Sequence, residues 1–333
     1  MFLHSVGHFH PENVITNGFL QELGLETTDT WIRERVGVQT RHTVLPLDYI
    51  RETRNRDVRE ALKVAQYSNA ETGRRASLMA CERAGIKPSE IGMVIAGGCA
   101  PDECIPAESC RIAQALNLDV TAFDINAACS SFCAQLHVLD SMKPEKLPDY
   151  VLIVNPENST RVVDYTDRAS CVLWGDGTSA AVLSPRIPGR YRVAHTVLHG
   201  SPAGAGADRV RVPRAGHFIQ DGAAVHQFAI KRATETFLEL KRLYAAEAGD
   251  LAAAGLGLIG HQANLRMLEA VQRRTEVDSA RHFFNVDRRG NCGASGAPTV
   301  LSEQWDLATL PRSLVLAVVG SGLTWAGALL ERV

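Results

Sequence analysis

Apolar positions along the first half of the chain alternate between helical spacing and short unbroken runs. RRASLMACERAGI has the spacing of an amphipathic helix, and IGMVIAGG reads as a strand buried on both faces. SCRIAQALNL predicts a second helix, VTAFDI a strand, and the residues after it, INAACSSFCAQL, a third helix. YVLIVNPEN and CVLWGDGTSAAVLSP read as strands, followed by a proline- and glycine-bearing link, SPRIPGRY. The second half repeats the rhythm. YRVAHTVLHG is a strand, AAVHQFAIKRATETFLELKRL a long helix, LGLIGHQ a strand and NLRMLEAVQRR a helix. RHFFNV is then a strand, SGAPTVLSEQWDL a helix, and SLVLAVVGSGLTWAGALL a terminal hairpin. Strands alternating with helices over this length predict a layered α/β fold.

The halves also resemble each other. IGMVIAGGCA and LGLIGHQANL occupy equivalent places, each a strand ending in a glycine-containing turn. FDINAACSSFCAQLHVL and FNVDRRGNCGASGAPTVL do the same, each a strand leading into a helix start built of small residues. Such a duplication brings equivalent loops together across a pseudo-twofold axis. It divides the chain into a half at 1–184, carrying Cys129, and a half at 185–333, carrying His261 and Asn291. One charged segment, about 43–73, stands outside the rhythm and reads as a helical insertion, either a solvated surface or a lid or partner face.

The bulk numbers narrow the function classes. With 333 residues the chain is long for one ordinary domain. A formal charge of −2 gives no global reason to expect nucleic acid or a membrane surface as partner. The opening MFLHSVGHFHPENV lacks a basic segment followed by a long apolar run, so no signal peptide is expected. The longest apolar candidate, SLVLAVVGSGLTWAGALL, is broken by three glycines and does not read as a membrane span. Eight cysteines in a chain this long form neither a disulfide framework nor a zinc pattern, although Cys99, Cys104 and Cys110 cluster. No metal and a reduced, cytoplasmic setting are the expectations.

Cys129 is the chemically suggestive position. It is predicted at a helix start, where unpaired N–H groups and the positive end of the macrodipole favour thiolate over thiol. Its neighbours Ala127, Ala128, Ser130 and Ser131 are small enough for close substrate approach, and its own N–H can donate to an oxyanion. These features fit a nucleophile. They equally fit a buried cysteine packing as a small hydrophobe, the natural reading of Cys133 one turn later. Two further motifs shift the balance: GHQANLRM puts His261 directly after an apolar strand, and RRGNCGASGAP puts Asn291 before another helix start. A Cys, a His and an Asn on three such turns suggest one site.

With these motifs quoted, the chain resembles the thiolase-fold condensing enzymes, specifically the β-ketoacyl-acyl carrier protein synthase III family. TDTWIRERVGV, NAACSSF, TDRASCVLWGDGTSAAVL, GHQANLRML, GNCGASGAPTVL and GSGLTWAGALL match the family's motifs in order over nearly the whole chain. The resemblance implies a duplicated α-β-α-β-α fold with pseudo-twofold-related halves. It implies that Cys129 takes an acyl group from a thioester, with an oxyanion hole from the backbone N–H groups of Cys129 and Ser321. His261 and Asn291 would stabilise the enolate of a malonyl- or β-ketoacyl-type thioester, whose attack on acyl-Cys129 forms a C–C bond. Asn291, a neutral donor where a carboxylate would oppose the developing charge, favours condensation over simple acyl transfer.

By the same resemblance Trp31, Arg35, Arg168, Gly222 and Asn264 contact coenzyme A or the pantetheine arm. Arg266, Arg273 and Arg274 read either as a basic patch that would steer docking of an acidic acyl carrier protein or as an ordinary solvated helix face. No cofactor is implied, since coenzyme A or carrier-protein thioesters are substrates, and a homodimer is expected. Ile105 stands near the acyl pocket where the family commonly has phenylalanine, on a loop that crosses the dimer interface. This smaller residue and the 43–73 insertion suggest a specialised member, in fatty-acid-like, polyketide or other secondary-metabolite synthesis. The competing readings are a cysteine acyltransferase or thioesterase forming no C–C bond, a catalytic subunit of a ketosynthase heterodimer, and a non-catalytic structural subunit. The intact Cys129, His261 and Asn291 set argues against the last.

Overall fold

The computed structural model describes residues 1–307 and 310–333. In the first half, β1 (Phe2–Phe9) precedes an antiparallel pair, β2 (Asn13–Thr16) and β3 (Thr40–Thr43), which encloses α1 (Asn17–Glu22) and α2 (Asp29–Arg35). Next come α3 (Leu47–Thr53), α4 (Val58–Val64), α5 (Asn69–Ala84), β4 (Ile91–Ala96), α6 (Glu108–Ala115) and β5 (Thr121–Asp124). α7 (Ser131–Ser141), β6 (Tyr150–Glu157), the single-turn α8 (Arg168–Cys171) and β7 (Gly177–Ser184) complete it. The second half begins with β8 (Tyr191–Gly200), α9 (Pro202–Ala205), the short pair β9 (Val210–Arg211) and β10 (Ile219–Gln220), α10 (Gly222–Ala248) and α11 (Asp250–Ala254). It continues through β11 (Gly257–Gly260), α12 (Leu265–Thr275), β12 (His282–Phe283), α13 (Val286–Arg289), α14 (Gly296–Glu303), β13 (Ser313–Gly320) and β14 (Thr324–Arg332).

Ten strands are hydrogen-bonded in the order β12-β11-β13-β14-β8-β1-β7-β6-β4-β5. Read outward from the centre, each side has the same plan. β4 lies parallel between β5 and β6, and β11 lies parallel between β12 and β13. β7 runs antiparallel to β6 and β1, as β14 does to β13 and β8. The sides join through Phe2 and Leu3 of β1 opposite Arg192 and Tyr191 of β8.

Helices on the outer faces and between the halves follow from composition. α5 packs on β1, β6 and β7, and α10 on β8, β13 and β14. α7 lies against strands of both halves, as does α14. A helix covered on every side cannot keep a polar face. In α7, Ser131 through Leu136 are buried, and in α14 every residue from Gly296 to Ser302 is. Phe132, Leu136, Leu139, Val300 and Leu301 join the largest apolar core with Ile153, Leu183, Leu316 and Ala328. A leucine or phenylalanine buried so completely contributes about 1.5–3 kcal/mol.

Three local expectations need correction. CVLWGDGTSAAVLSP is not one strand: its first residue ends α8, and β7 begins only at Gly177. Val172 and Trp174 are buried in the turn before it, and the only pairing there among the described residues is a single parallel bridge from Trp174 to Asn291. RHFFNV contributes only His282 and Phe283 to the sheet. The charged segment 43–73 is solvated on one face only. Arg51, Arg56 and Arg59 are exposed, but Ile50 and Ala61 are fully buried. Asn55 Nδ2 donates to the carbonyls of Arg161 and Val163, at 2.9 and 2.8 Å, and Val44 N–H donates to Asp176 at 2.7 Å. No helix among the described residues is long and apolar enough to cross a membrane.

Candidate active site

Cys129 follows β5 on a tight turn. Ala128 adopts φ +49°, a left-handed conformation uncommon for a residue with a side chain, and Ser130 and Ser131 N–H groups close back on Ala127 and Ala128 carbonyls. The helix itself starts at Ser131, so Cys129 precedes it rather than forming its first turn. The end of β13 presses against this turn. A Cβ on Gly320 would stand 2.6 Å from Ala127 O and 2.9 Å from Ser130 N, so only glycine allows the approach.

His261 comes directly after β11, and Asn291 lies between α13 and α14. Cys129, His261 and Asn291 are 7, 6 and 5% exposed, and all three line one cavity. Asn291 is oriented by its neighbours. Its Oδ1 accepts from Gly293 N–H at 3.0 Å, and its backbone is pinned by Leu173 O and Gly175 N–H. The donor Nδ2 is thereby left for the cavity. Gly293 has φ +51°, and a Cβ there would lie 2.4 Å from Glu157 Oε1.

The cavity's outer wall holds Trp31, Arg168, Gly222 and Asn264. Arg168 stacks over the Trp31 ring at 4.9 Å and donates to Glu26 O. Asn264 Oδ1 caps α12, accepting from Arg266 and Met267 N–H at 2.8 and 3.2 Å. Gly222, at the start of α10, has only Gln220 Nε2 near its absent side chain, at 3.9 Å. Ser321 lines the same cavity, and its hydroxyl donates to Val210 O at 2.5 Å.

Other expected residues lie elsewhere. Arg35, at the end of α2, is exposed and outside the cavity lining. Ile105 is 84% exposed and does not line its own chain's cavity. Arg273 and Arg274 are exposed on the last turn of α12, but Arg266 is already engaged. It donates to Arg33 and Glu34 carbonyls at 2.8 and 3.0 Å and pairs with Glu269, so the three arginines are not one free basic patch.

Two residues near the sulfur were not anticipated. Cys99, just after β4, places its Sγ 3.5 Å from Cys129 Sγ. Glu157, at the end of β6, is fully buried and accepts from Cys99 and Ala294 N–H and from the Ser159 hydroxyl. The hydrogen bond between the Cys99 and Cys129 sulfurs is the first of the causes that bring the Cys129 thiol down to about 5. Burial opposes this, while His261 and the Cys129 backbone N–H lower it further. Cys99 is raised in turn, first by the same hydrogen bond. Burial, and secondarily the Cys129 charge, push Glu157 up to about 7. Signals existed for both residues: a cysteine after a strand-ending Gly-Gly, and a single carboxylate closing an apolar strand.

The low Cys129 pKa has a direct consequence. Alkylation by iodoacetamide is expected to vary little between about pH 7 and 9, where a free thiol of pKa about 8.5 gains most of its reactivity. Peptide mapping should follow the Cys129 label separately from that on the exposed Cys104, while burial pushes the Cys133 and Cys171 thiols up to about 12 and keeps them unlabelled. A Cys129 rate that climbs with pH like that of a free thiol would refute the assigned acidity. Among the described residues no cluster of His, Cys, Asp and Glu is placed to hold a metal ion.

Two family models match the chain. 3-Oxoacyl-[acyl-carrier-protein (ACP)] synthase III matches residues 123–202, and the C-terminal model of the same name matches 256–332. A β-ketoacyl-[acyl-carrier-protein] synthase III of Xanthomonas campestris pv. campestris is 32% identical over 98% of this chain and 96% of its own length. The protein of that name from Coxiella burnetii is 31% identical over 99% and 98%. Among solved structures, 3-oxoacyl-[acyl-carrier-protein] synthase III from Aquifex aeolicus VF5 superposes with TM-score 0.85 at 26% identity, covering 99% of each chain. The priming β-ketosynthase of the R1128 polyketide pathway superposes with TM-score 0.82 at 25% identity, covering 99% of this chain and 96% of that one.

Proposed function

The chain belongs to the 3-oxoacyl-[acyl-carrier-protein] synthase III family of condensing enzymes, and from that premise we propose that Cys129, His261 and Asn291 carry a two-step Claisen condensation. In the first step the Cys129 thiolate attacks an acyl thioester carbonyl, delivered by coenzyme A or a carrier protein. The oxyanion is held by the Cys129 and Ser321 backbone N–H groups, and the departing thiolate takes a proton as the acyl-enzyme forms. In the second step a malonyl-type thioester loses carbon dioxide. The electron pair of the broken C–C bond becomes an enolate, with its oxygen held by the His261 ring and Asn291 Nδ2. The enolate carbon attacks the acyl carbonyl, the new C–C bond forms and the Cys129 thiolate leaves.

The observation that carries this reading is the convergence of a low-pKa thiol, an imidazole and an oriented carboxamide on one cavity, from opposite halves of the duplicate. The stacked Trp31 and Arg168 support entry of a coenzyme A or pantetheine thioester from that side, with Arg35 outside to meet its phosphates. Arg273 and Arg274 remain available to an acidic carrier protein. The exposure of Ile105 fits a residue covered by a second copy in a homodimer.

Weighing the intact protein after incubation with a panel of acyl thioesters tests the reading. One acyl group should be gained, and malonyl carrier protein should then discharge it as a β-ketoacyl product. No acyl adduct, or discharge only as free acid, would overturn condensation in favour of another chemistry.

A further inference from the structure

Cys129 faces more than the thioester cavity. An adjoining cavity, which shares Cys129, Trp174 and Phe218 with the first, has about 130 Å³ of space for water-sized molecules, and Cys99 and Cys129 both line it. That is room for several small polar molecules, since one water needs only ~10–15 Å³ of such space. Among the described residues, theirs is the only sulfur–sulfur contact within hydrogen-bonding reach, at 3.5 Å. All eight cysteines are free thiols.

We propose that Cys99 and Cys129 form a peroxide-reactive dithiol site, in which Cys99 captures oxidised Cys129 as a reversible disulfide. The inference goes beyond condensation and rests, like it, on a nucleophilic Cys129. The chemistry balances with hydrogen peroxide as oxidant. The Cys129 thiolate attacks one peroxide oxygen, the O–O bond breaks and hydroxide leaves, so the sulfur becomes a sulfenic acid. Cys99 sulfur then attacks the sulfenic sulfur, an S–S bond forms and the S–O bond breaks. The departing hydroxide takes the Cys99 proton and leaves as water. An external thiol reverses the step by exchange.

The surroundings suit each role. A sulfur that reacts with peroxide must be a thiolate and reachable, and Cys129 is held acidic and opens on two cavities. A resolving thiol must be held beside it. Cys99 N–H donates to both Glu157 carboxylate oxygens at 3.1 Å. The loop beyond it is clamped by Arg161, which bonds Asp102, Asn69 and Ala100 O. The competing thiols are poorly placed. Cys133 is fully buried in the core of α7, and Cys104 is exposed on the surface with no sulfur contact to Cys129. The site would protect Cys129 from irreversible sulfinic acid formation while shutting off acylation.

The test compares wild type with Cys99→Ser, Cys99→Ala and Cys104→Ser after hydrogen peroxide, then after dithiothreitol. Wild type and Cys104→Ser should lose two hydrogens in intact mass and yield one cross-linked peptide joining Cys99 to Cys129. They should lose acylation, and recover most of it on reduction. Cys99→Ser, whose hydroxyl can keep a hydrogen bond to Cys129, should instead gain oxygen atoms on Cys129 and recover little, and Cys99→Ala should do the same more slowly because it loses that bond. Thermal melts establish that the variants fold; if neither does, the wild-type cross-link and its reversal decide alone. Oxygen addition without cross-link in wild type, a cross-link to another cysteine, or full recovery in the Cys99 variants would overturn the site. Acyl loading of untreated wild type separates the two readings. Loading without the cross-link leaves condensation standing, and the cross-link without loading leaves only the dithiol site.

Discussion

Cys129→Ala is expected to abolish the acyl-enzyme mass increase and lower condensation by roughly three orders of magnitude or more. The substitution removes the one atom that forms the covalent intermediate, whereas loss of a positioning group leaves a slower version of the same path. Stability should change little, because Cys129 packs at the edge of a buried cluster where it also faces the cavity, so removing one sulfur enlarges existing space more than it opens a new void. Cys133→Ala is the informative comparison. That thiol lies four residues on and is fully buried, so its loss should cost stability while leaving acyl loading on Cys129. Acyl loading retained in Cys129→Ala would show that another residue accepts the group.

Asn291→Asp is expected to leave acylation within a few-fold of wild type and to slow condensation by about 10²–10³-fold, the loss seen when one oxyanion donor is removed. The geometry accounts for the split. One carboxylate oxygen keeps the bond from Gly293 N–H, now at 3.0 Å to Asn291 Oδ1, so the side chain retains its orientation. The other oxygen then replaces the Nδ2 donor and presents negative charge to the enolate. In the proposed mechanism acylation places its oxyanion near the Cys129 and Ser321 N–H groups and does not use that donor. Single-turnover measurement of acyl loading, followed by discharge with malonyl carrier protein, separates the steps. Equal condensation rates for Asn291→Asp and wild type would remove Asn291 from the mechanism.

Much of the architecture was legible because strand and helix periods are local. The apolar runs of β4, β6, β8 and β11 and the spacing of α5, α10 and α12 each declare themselves within about a dozen residues. The equivalence of IGMVIAGGCA and LGLIGHQANL reappears as β4 and β11, each parallel between two neighbours. Where local reading failed, burial imitated pairing. Val172 and Trp174 are apolar because a turn is covered, and the same composition reads as strand. Arg266 looked like surface charge because its acceptors, the carbonyls that end α2, lie more than two hundred residues earlier in the chain.

Sequence alone determined the order of the main strands and helices and their duplication, and it singled out the three residues proposed to carry the chemistry, since residue type and spacing are properties of neighbouring positions. Only the tertiary structure decided what surrounds the sulfur. Cys99 is 30 residues away along the chain and belongs to a different strand end, yet its sulfur lies 3.5 Å from the Cys129 sulfur. Glu157 closes a third strand and is forced toward neutrality by burial beneath the same turn. Acidity in a folded protein is set by distance through space and by exclusion of water, and neither is encoded in any short window of residues.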